Sequence, residues 1–177
     1  MARGDGHRGE PQTATTIVET ALSRFTSIDV LVNNAGIFFT KPFTDYTAED
    51  FKSLVSTNVE GFLYVTQLAI KQMLAQKTGG SIVTITAALA RNPIRGVTAA
   101  VPMITKGGLE TIPQHLATEY AKYGIRVNPV PPGVVDAPPH RDPPKDRRER
   151  PRPPRPPSTL KATPAPVVAL TQPPPGP

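Results

Sequence analysis

The first 137 residues predict an α/β protein built on parallel strands, and three observations carry that expectation. Helical and strand-like patterns alternate in the order helix, strand, helix, strand, helix, strand. The strand patterns are short, apolar and rich in β-branched residues, as strands covered by helices are. Each is separated from the next by a helical stretch long enough for a right-handed crossover, so parallel strands follow more naturally than hairpins.

The elements run in this order. "TATTIVETALSRF", Thr13 to Phe25, sets Ile17, Val18, Ala21, Leu22 and Phe25 along one helical stripe. "IDVLV", Ile28 to Val32, is the first strand, and the turn-forming cluster "NNAG", Asn33 to Gly36, stops it. Thr47 and Asp50 have the spacing of a capping box, opening a long helical pattern from Ala48 to Gln76. Ser56, Thr57, Asn58 and Gly61 predict a break near its middle. "SIVTIT", Ser81 to Thr86, is the second strand; a loop through Arg91 to Ala100 leads to a helix from Met103, closed by Gly124. "IRVNPV", Ile125 to Val130, is the third strand and runs into Pro131, Pro132 and Gly133. Ligands of such layered folds gather at the carboxyl ends of the strands. Asn34, Thr86 and Val135 all stand just past those ends.

A length of 177 residues suits one domain. Composition divides the chain, because 15 of its 23 prolines fall between Pro138 and Pro177. We therefore expect a disordered or remnant segment over 1–12, a folded domain over 13–137 and a disordered, basic, Pro-rich tail over 138–177. Between Arg141 and Arg155 the tail holds seven Lys/Arg against three Asp/Glu, so much of the net charge of +6 lies there. Such a block reads as a solvated tail, and no aromatic residues are interleaved for base stacking, so nucleic-acid binding is not expected. Arg150, Pro153 and Pro156 fit a pattern read by polyproline-II grooves, a match that so much proline produces readily by chance.

Cysteine is absent, which excludes disulfides, thiolate metal sites and a cysteine nucleophile. His7, His115 and His140 lack metal-ligand spacing. No segment reaches the roughly 18 to 20 apolar residues of a membrane span, and "MARGDGHRGE" has no apolar run of a signal peptide behind it. A cytoplasmic protein without a membrane partner is the expectation.

Five motifs stand together: "DVLVNNAG", "NVEGF", "GGSIVTIT", Lys106 within "ITKGGLE", and "YGIRVN" followed by "PPGVV". In this order and spacing they resemble the short-chain dehydrogenase/reductase family over roughly residues 13 to 137. "PSTLK" and "VVALT" in the tail echo the helix and strand that would come next. The resemblance implies a partial Rossmann-like, doubly wound parallel sheet with three core strands and crossover helices. It also implies hydride transfer between NAD or NADP and a small carbonyl or alcohol substrate, and self-association through the two long helices. Residue by residue, it sets Asn34, Ala35 and Gly36 beside the cofactor ribose. Lys106 becomes the lysine that contacts the nicotinamide ribose, and Asn58 the active-site asparagine. Val135, after Pro132 and Gly133, takes the position whose backbone meets the nicotinamide carboxamide.

The departures from the pattern are equally informative. The family's catalytic tyrosine falls on Pro102 and its serine on Ala87, with the hydroxyl of Thr86 next door as a candidate. "RGDGHRGE" has glycines but no preceding strand, so it is not the Gly-rich phosphate turn that the family places before a helix N-terminus. The chain opens about where the third strand of such a fold ends, and truncation with weak cofactor binding is expected. Carbonyl reduction needs a proton donor within about 3 Å of the oxygen, and general acid catalysis is worth about 10² to 10⁴ in rate. Two readings stay open: an NAD(P)-dependent oxidoreductase with impaired activity, or a non-catalytic remnant or interaction protein displaying the basic tail. Three weaknesses are also expected. The edge of "IDVLV" is left exposed, Pro113 costs its helix roughly 3 kcal/mol, and Pro129 and Pro131 interrupt the last strand.

Overall fold

The computed structural model describes residues 9–133 and the short strand 168–170. Helix α1, Pro11–Phe25, begins at a proline, whose missing N–H costs nothing at a helix start. It ends where Thr26 turns left-handed and donates its N–H to the Leu22 carbonyl. Strand β1 is Val30–Asn33, two residues later than the apolar run predicts. The cause is Gln76. Its Oε1 accepts from the Ile28 N–H at 2.7 Å and its Nε2 donates to the Ile28 carbonyl at 3.1 Å, so that residue's backbone is taken before the ladder begins.

Helix α2, Ala48–Leu54, opens with the predicted capping box between Thr47 and Asp50. A π-helical turn, Val55–Glu60, joins it to α3, Gly61–Gln76, so the predicted break falls on Asn58 as a widened turn. Strand β2, Gly80–Ile85, is followed after a loop by α4, Ala100–Tyr120. This helix starts three residues before the predicted Met103 and places Pro102 in the first turn, where N–H groups lack helical acceptors in any case. Pro113 sits fully buried in its interior, and the helix runs on through it. A 3₁₀ turn over Ala121–Tyr123 and Gly124, with φ +71°, then end the helical run.

Strand β3 is Ile125–Val130, and a short β4, Val168–Leu170, lies in the tail. The order across the sheet is β3-β2-β1-β4. The three long strands are parallel, with Leu31, Ile82 and Val127 in register, and β4 runs antiparallel with Val168 opposite Val32. One expectation is corrected here: the outer edge of β1 is paired with β4 rather than bare. The rest of the tail and residues 1–8, including the glycines of "RGDGHRGE" before Gly9 and the Arg150, Pro153, Pro156 pattern, lie outside the described residues.

The expected interruption at Pro129 is corrected as well. In the described sheet β3 is an edge strand, and the Val130 carbonyl accepts from the Thr86 N–H at 2.9 Å. Backbone groups alternate in direction along a strand, so Pro129 turns its nitrogen outward, the one side where a proline costs no ladder bond.

Leu31, Ile82, Ile125 and Val127 share one sheet face with Val18 of α1, and with Val65, Ala69 and Met73 of α3. Leu116 and Tyr120 of α4 pack against the same cluster. All three long helices therefore press on one face, and the carboxyl end of β2 and the loop after β1 meet the first turns of α4.

Candidate active site

Strand β1 ends in a buried asparagine. Asn33 donates from Nδ2 to the Thr66 hydroxyl of α3 at 2.9 Å, which ties the strand end to the helix behind it. The chain then turns through Asn34, which is exposed, Ala35, which is half-buried, and Gly36, which is buried.

Asn58 holds the next residue of this loop in place. Only 1% exposed, its side chain accepts from the Ile37 N–H at 2.8 Å and donates to the Ile37 carbonyl at 3.1 Å. The same amide nitrogen donates to the Thr105 hydroxyl at 2.9 Å. Thr105 in turn donates to the Pro102 carbonyl at 2.8 Å. A single side chain on the π-helical turn thus joins the loop after β1 to the first turns of α4. Buried amides satisfied on both sides are rigid fixtures, because releasing either partner leaves a polar group dry.

Lys106 projects from α4 to the end of β2, where its ammonium donates to the Ile85 carbonyl at 3.1 Å. A Cβ placed on Gly36 would stand 3.2 Å from Lys106 Nζ and 3.2 Å from Asn58 Oδ1. Gly36, Asn58 and Lys106 therefore meet at one point. Burial holds the lysine pKa below its ordinary value, since the charged form loses water. No carboxylate pairs with it among the described residues.

Thr86 is 4% exposed, and its hydroxyl has no hydrogen-bond partner among the described residues; the same is true of Thr84. Ala87 is extended and leads into a 3₁₀ turn over Ala88–Ala90. The Ala88 N–H donates to the Pro132 carbonyl at 3.0 Å, which brings the segment after β3 alongside the end of β2. Pro132 is half-buried and Gly133 exposed; Val135 lies outside the described residues. Pro102, one helical turn before Lys106, is fully buried.

Sequence reasoning did not single out Thr105, nor the Arg91–Glu110 ion pair. Arg91 Nε approaches Glu110 Oε1 at 2.9 Å, pinning the loop after β2 to α4, where Glu110 is almost wholly buried. Helical spacing could have flagged Glu110, which lies one turn beyond Lys106 on α4. Its partner, in a loop, gave no signal.

A family model described as enoyl-(acyl carrier protein) reductase matches residues 9–168. A tropinone reductase homologue of Arabidopsis thaliana is 38% identical over 124 residues, covering 70% of this chain and 44% of its own length. A short-chain type dehydrogenase/reductase from Mycobacterium marinum superposes with a TM-score of 0.69 at 27% identity, over 73% of this chain and 51% of that one. The chain belongs to the short-chain dehydrogenase/reductase family. Within it, 3-ketoacyl-(acyl-carrier-protein) reductase from Brucella melitensis, solved in complex with NADH, is 29% identical with a TM-score of 0.67. That match covers 71% of this chain and 53% of the reductase. The chain spans about half the length of the relatives it matches. In this short-chain dehydrogenase/reductase, Gly36, Asn58 and Lys106 meet beside the carboxyl ends of β1 and β2. Among its described residues no helix is long and apolar enough to cross a membrane, and no cluster of three His, Asp or Glu could hold a metal.

Proposed function

We propose that this chain handles the nicotinamide end of NAD or NADP and is an impaired oxidoreductase toward small carbonyl or alcohol compounds. The observation that carries the reading is the placement of Lys106. Its ammonium is fixed between the Ile85 carbonyl and Gly36, with a buried proline one helical turn before it.

The residues present fit the nicotinamide-ribose half of such a cofactor. Gly36 offers backbone without a side chain beside an ammonium that has donors to spare. Lys106 would donate to the ribose hydroxyls, the backbone of Asn34, Ala35 and Gly36 would lie alongside the sugar, and Pro132, Gly133 and Val135 would border the carboxamide. The dinucleotide, when bound, exchanges the hydride. Asn58 holds the Ile37 backbone and Thr105 so that loop and lysine keep their register. Thr86 is the hydroxyl-bearing candidate for orienting a carbonyl, next to Ala87. The Brucella relative solved with NADH supports the cofactor reading.

Impairment follows from residue 102. A tyrosine there would share the helix face of Lys106, since residues four apart stack. The nearby positive charge would favour its phenolate and tune it for proton transfer. Proline has no hydroxyl, so this route to a factor of about 10² to 10⁴ is closed.

Titration with NADH, followed by nicotinamide fluorescence, tests the proposal. Saturable enhancement supports it. No signal up to millimolar NADH overturns it and leaves the interaction-protein reading. The double substitution Pro102→Tyr with Ala87→Ser is expected to raise carbonyl reduction by about 10² or more if NADH binds.

A further inference from the structure

We propose that β4 is an exchangeable strand and that the outer edge of β1 is a docking site for the β4 of a second copy of this chain. The edge itself shows what it accepts. The Ser81 N–H donates to the Asp29 carbonyl at 2.9 Å, so Leu31 and Asn33, in step with Asp29, spend their backbone groups on β2. Backbone direction alternates along a strand, which turns the N–H and C=O of Val30 and Val32 outward. Leu170 and Val168 stand opposite these two residues in the antiparallel ladder. Every copy of the chain carries the same segment, so each copy holds both the edge and the strand that fits it.

The receiving edge keeps its own shape. Strand β1 is paired with β2 from Val30 to Asn33, Gln76 clasps both backbone groups of Ile28, and Asn33 is bonded to Thr66. None of these bonds involves β4. The edge therefore holds its register when the strand leaves, and docking costs little ordering on that side.

The docked strand is the opposite case. It has three residues, against about five or six in an average strand, so few ladder bonds oppose its release. Its connection does not confine it either. Positions 134 to 167 separate Gly133 from Val168 and could span on the order of 100 Å, while β3 and β4 stand roughly 14 Å apart across the sheet.

The ladder is the same within one chain and between two, so concentration decides. Pairing within the chain wins in dilute solution, and exchange grows as the protein approaches roughly the millimolar range. Exchange in both directions fills both β1 edges and closes the pair. The other edge of the described sheet offers no such route, because Pro129 lacks the outward N–H that a pairing strand needs. This inference is independent of the dinucleotide reading.

The chain has no cysteine, so thiols placed one per chain report the pairing. Two whole-chain single variants, one of them isotope-labelled, are mixed at about 0.5 mM, oxidised, and their mixed disulfides counted by mass. Residues directly opposite can be bridged, whereas diagonal neighbours stand about 7–8 Å apart, which is too far. The straight mixtures pair Val32→Cys with Val168→Cys, and Val30→Cys with Leu170→Cys. The crossed mixtures pair Val32→Cys with Leu170→Cys, and Val30→Cys with Val168→Cys. Straight mixtures are expected to give about tenfold more mixed disulfide than crossed ones, and to lose that excess on about hundredfold dilution. Equal yields from straight and crossed mixtures overturn the proposal, because random collision has no register. So does a Val32→Cys, Val168→Cys double variant that closes within its own chain at every concentration while the mixtures stay unlinked. Two straight pairs keep the test decisive where one variant fails to fold.

Discussion

Asn58 and Thr105, 47 residues apart, are joined by a 2.9 Å hydrogen bond, and the same asparagine clasps both backbone groups of Ile37. Loop, π-helical turn and α4 thus share one fixture. Asn58→Leu removes all three bonds and leaves the half-buried Ile37 backbone groups without their partner. It is expected to cost about 2–4 kcal/mol, read as a lower urea midpoint.

Lys106 titrates against the fold. Its folded pKa lies below the ordinary 10.5, so the unfolded chain holds the proton more tightly and protonation destabilises the native state. The penalty is complete below the folded pKa and fades as pH climbs from there to 10.5. Relative to Lys106→Met, the parent protein is therefore expected to gain stability with rising pH across that alkaline window. Paired urea titrations at several pH values check it; a flat or falling difference contradicts it.

Gly36 is not in the left-handed region, so Gly36→Ala brings no backbone strain. Its added methyl meets the Lys106 ammonium and the Asn58 oxygen, each at 3.2 Å. The Asn58 side chain is held by three hydrogen bonds and the ammonium by one, so the lysine tip is the part that shifts. Stability is expected to fall by less than about 1 kcal/mol, while NADH affinity falls about tenfold or more. Fluorescence titration and urea unfolding on the same sample separate the two effects.

Thr86→Val keeps the shape and removes a buried hydroxyl that has no partner among the described residues. An unsatisfied buried polar group costs about 1–3 kcal/mol, so the variant is expected to be more stable. If the hydroxyl also orients substrate, the gain comes with a lower kcat in the Pro102→Tyr, Ala87→Ser background. Melting and steady-state rates together decide its role.

Much of this was legible in the sequence, and the parts that were not have physical causes. The Thr47–Asp50 capping box and the Gly124 stop were found because local chemistry sets them. The start of β1 was misplaced because Gln76, 48 residues away, claims the Ile28 backbone, and no local pattern announces that. Ser56 to Asn58 marked a break, but its π-helical form depends on where Asn58 finds Ile37. Pro129 looked like a breaker, yet β3 runs through it, because it sits on an outer strand of the described sheet, a place defined only by the assembled fold. At the site, the "NNAG", "NVEGF" and "ITKGGLE" motifs located Gly36, Asn58 and Lys106. The Thr105 link and the Ile85 acceptor emerged only in three dimensions.

Pro129 has one more effect. Along the outward rim of the described sheet, this ring replaces an amide hydrogen with carbon. A second copy sliding in beside β3 would seek a donor at that step and find none, so lateral fusion into a continuous ribbon is discouraged there. The residue that looked most damaging to the strand guards the protein against its own kind.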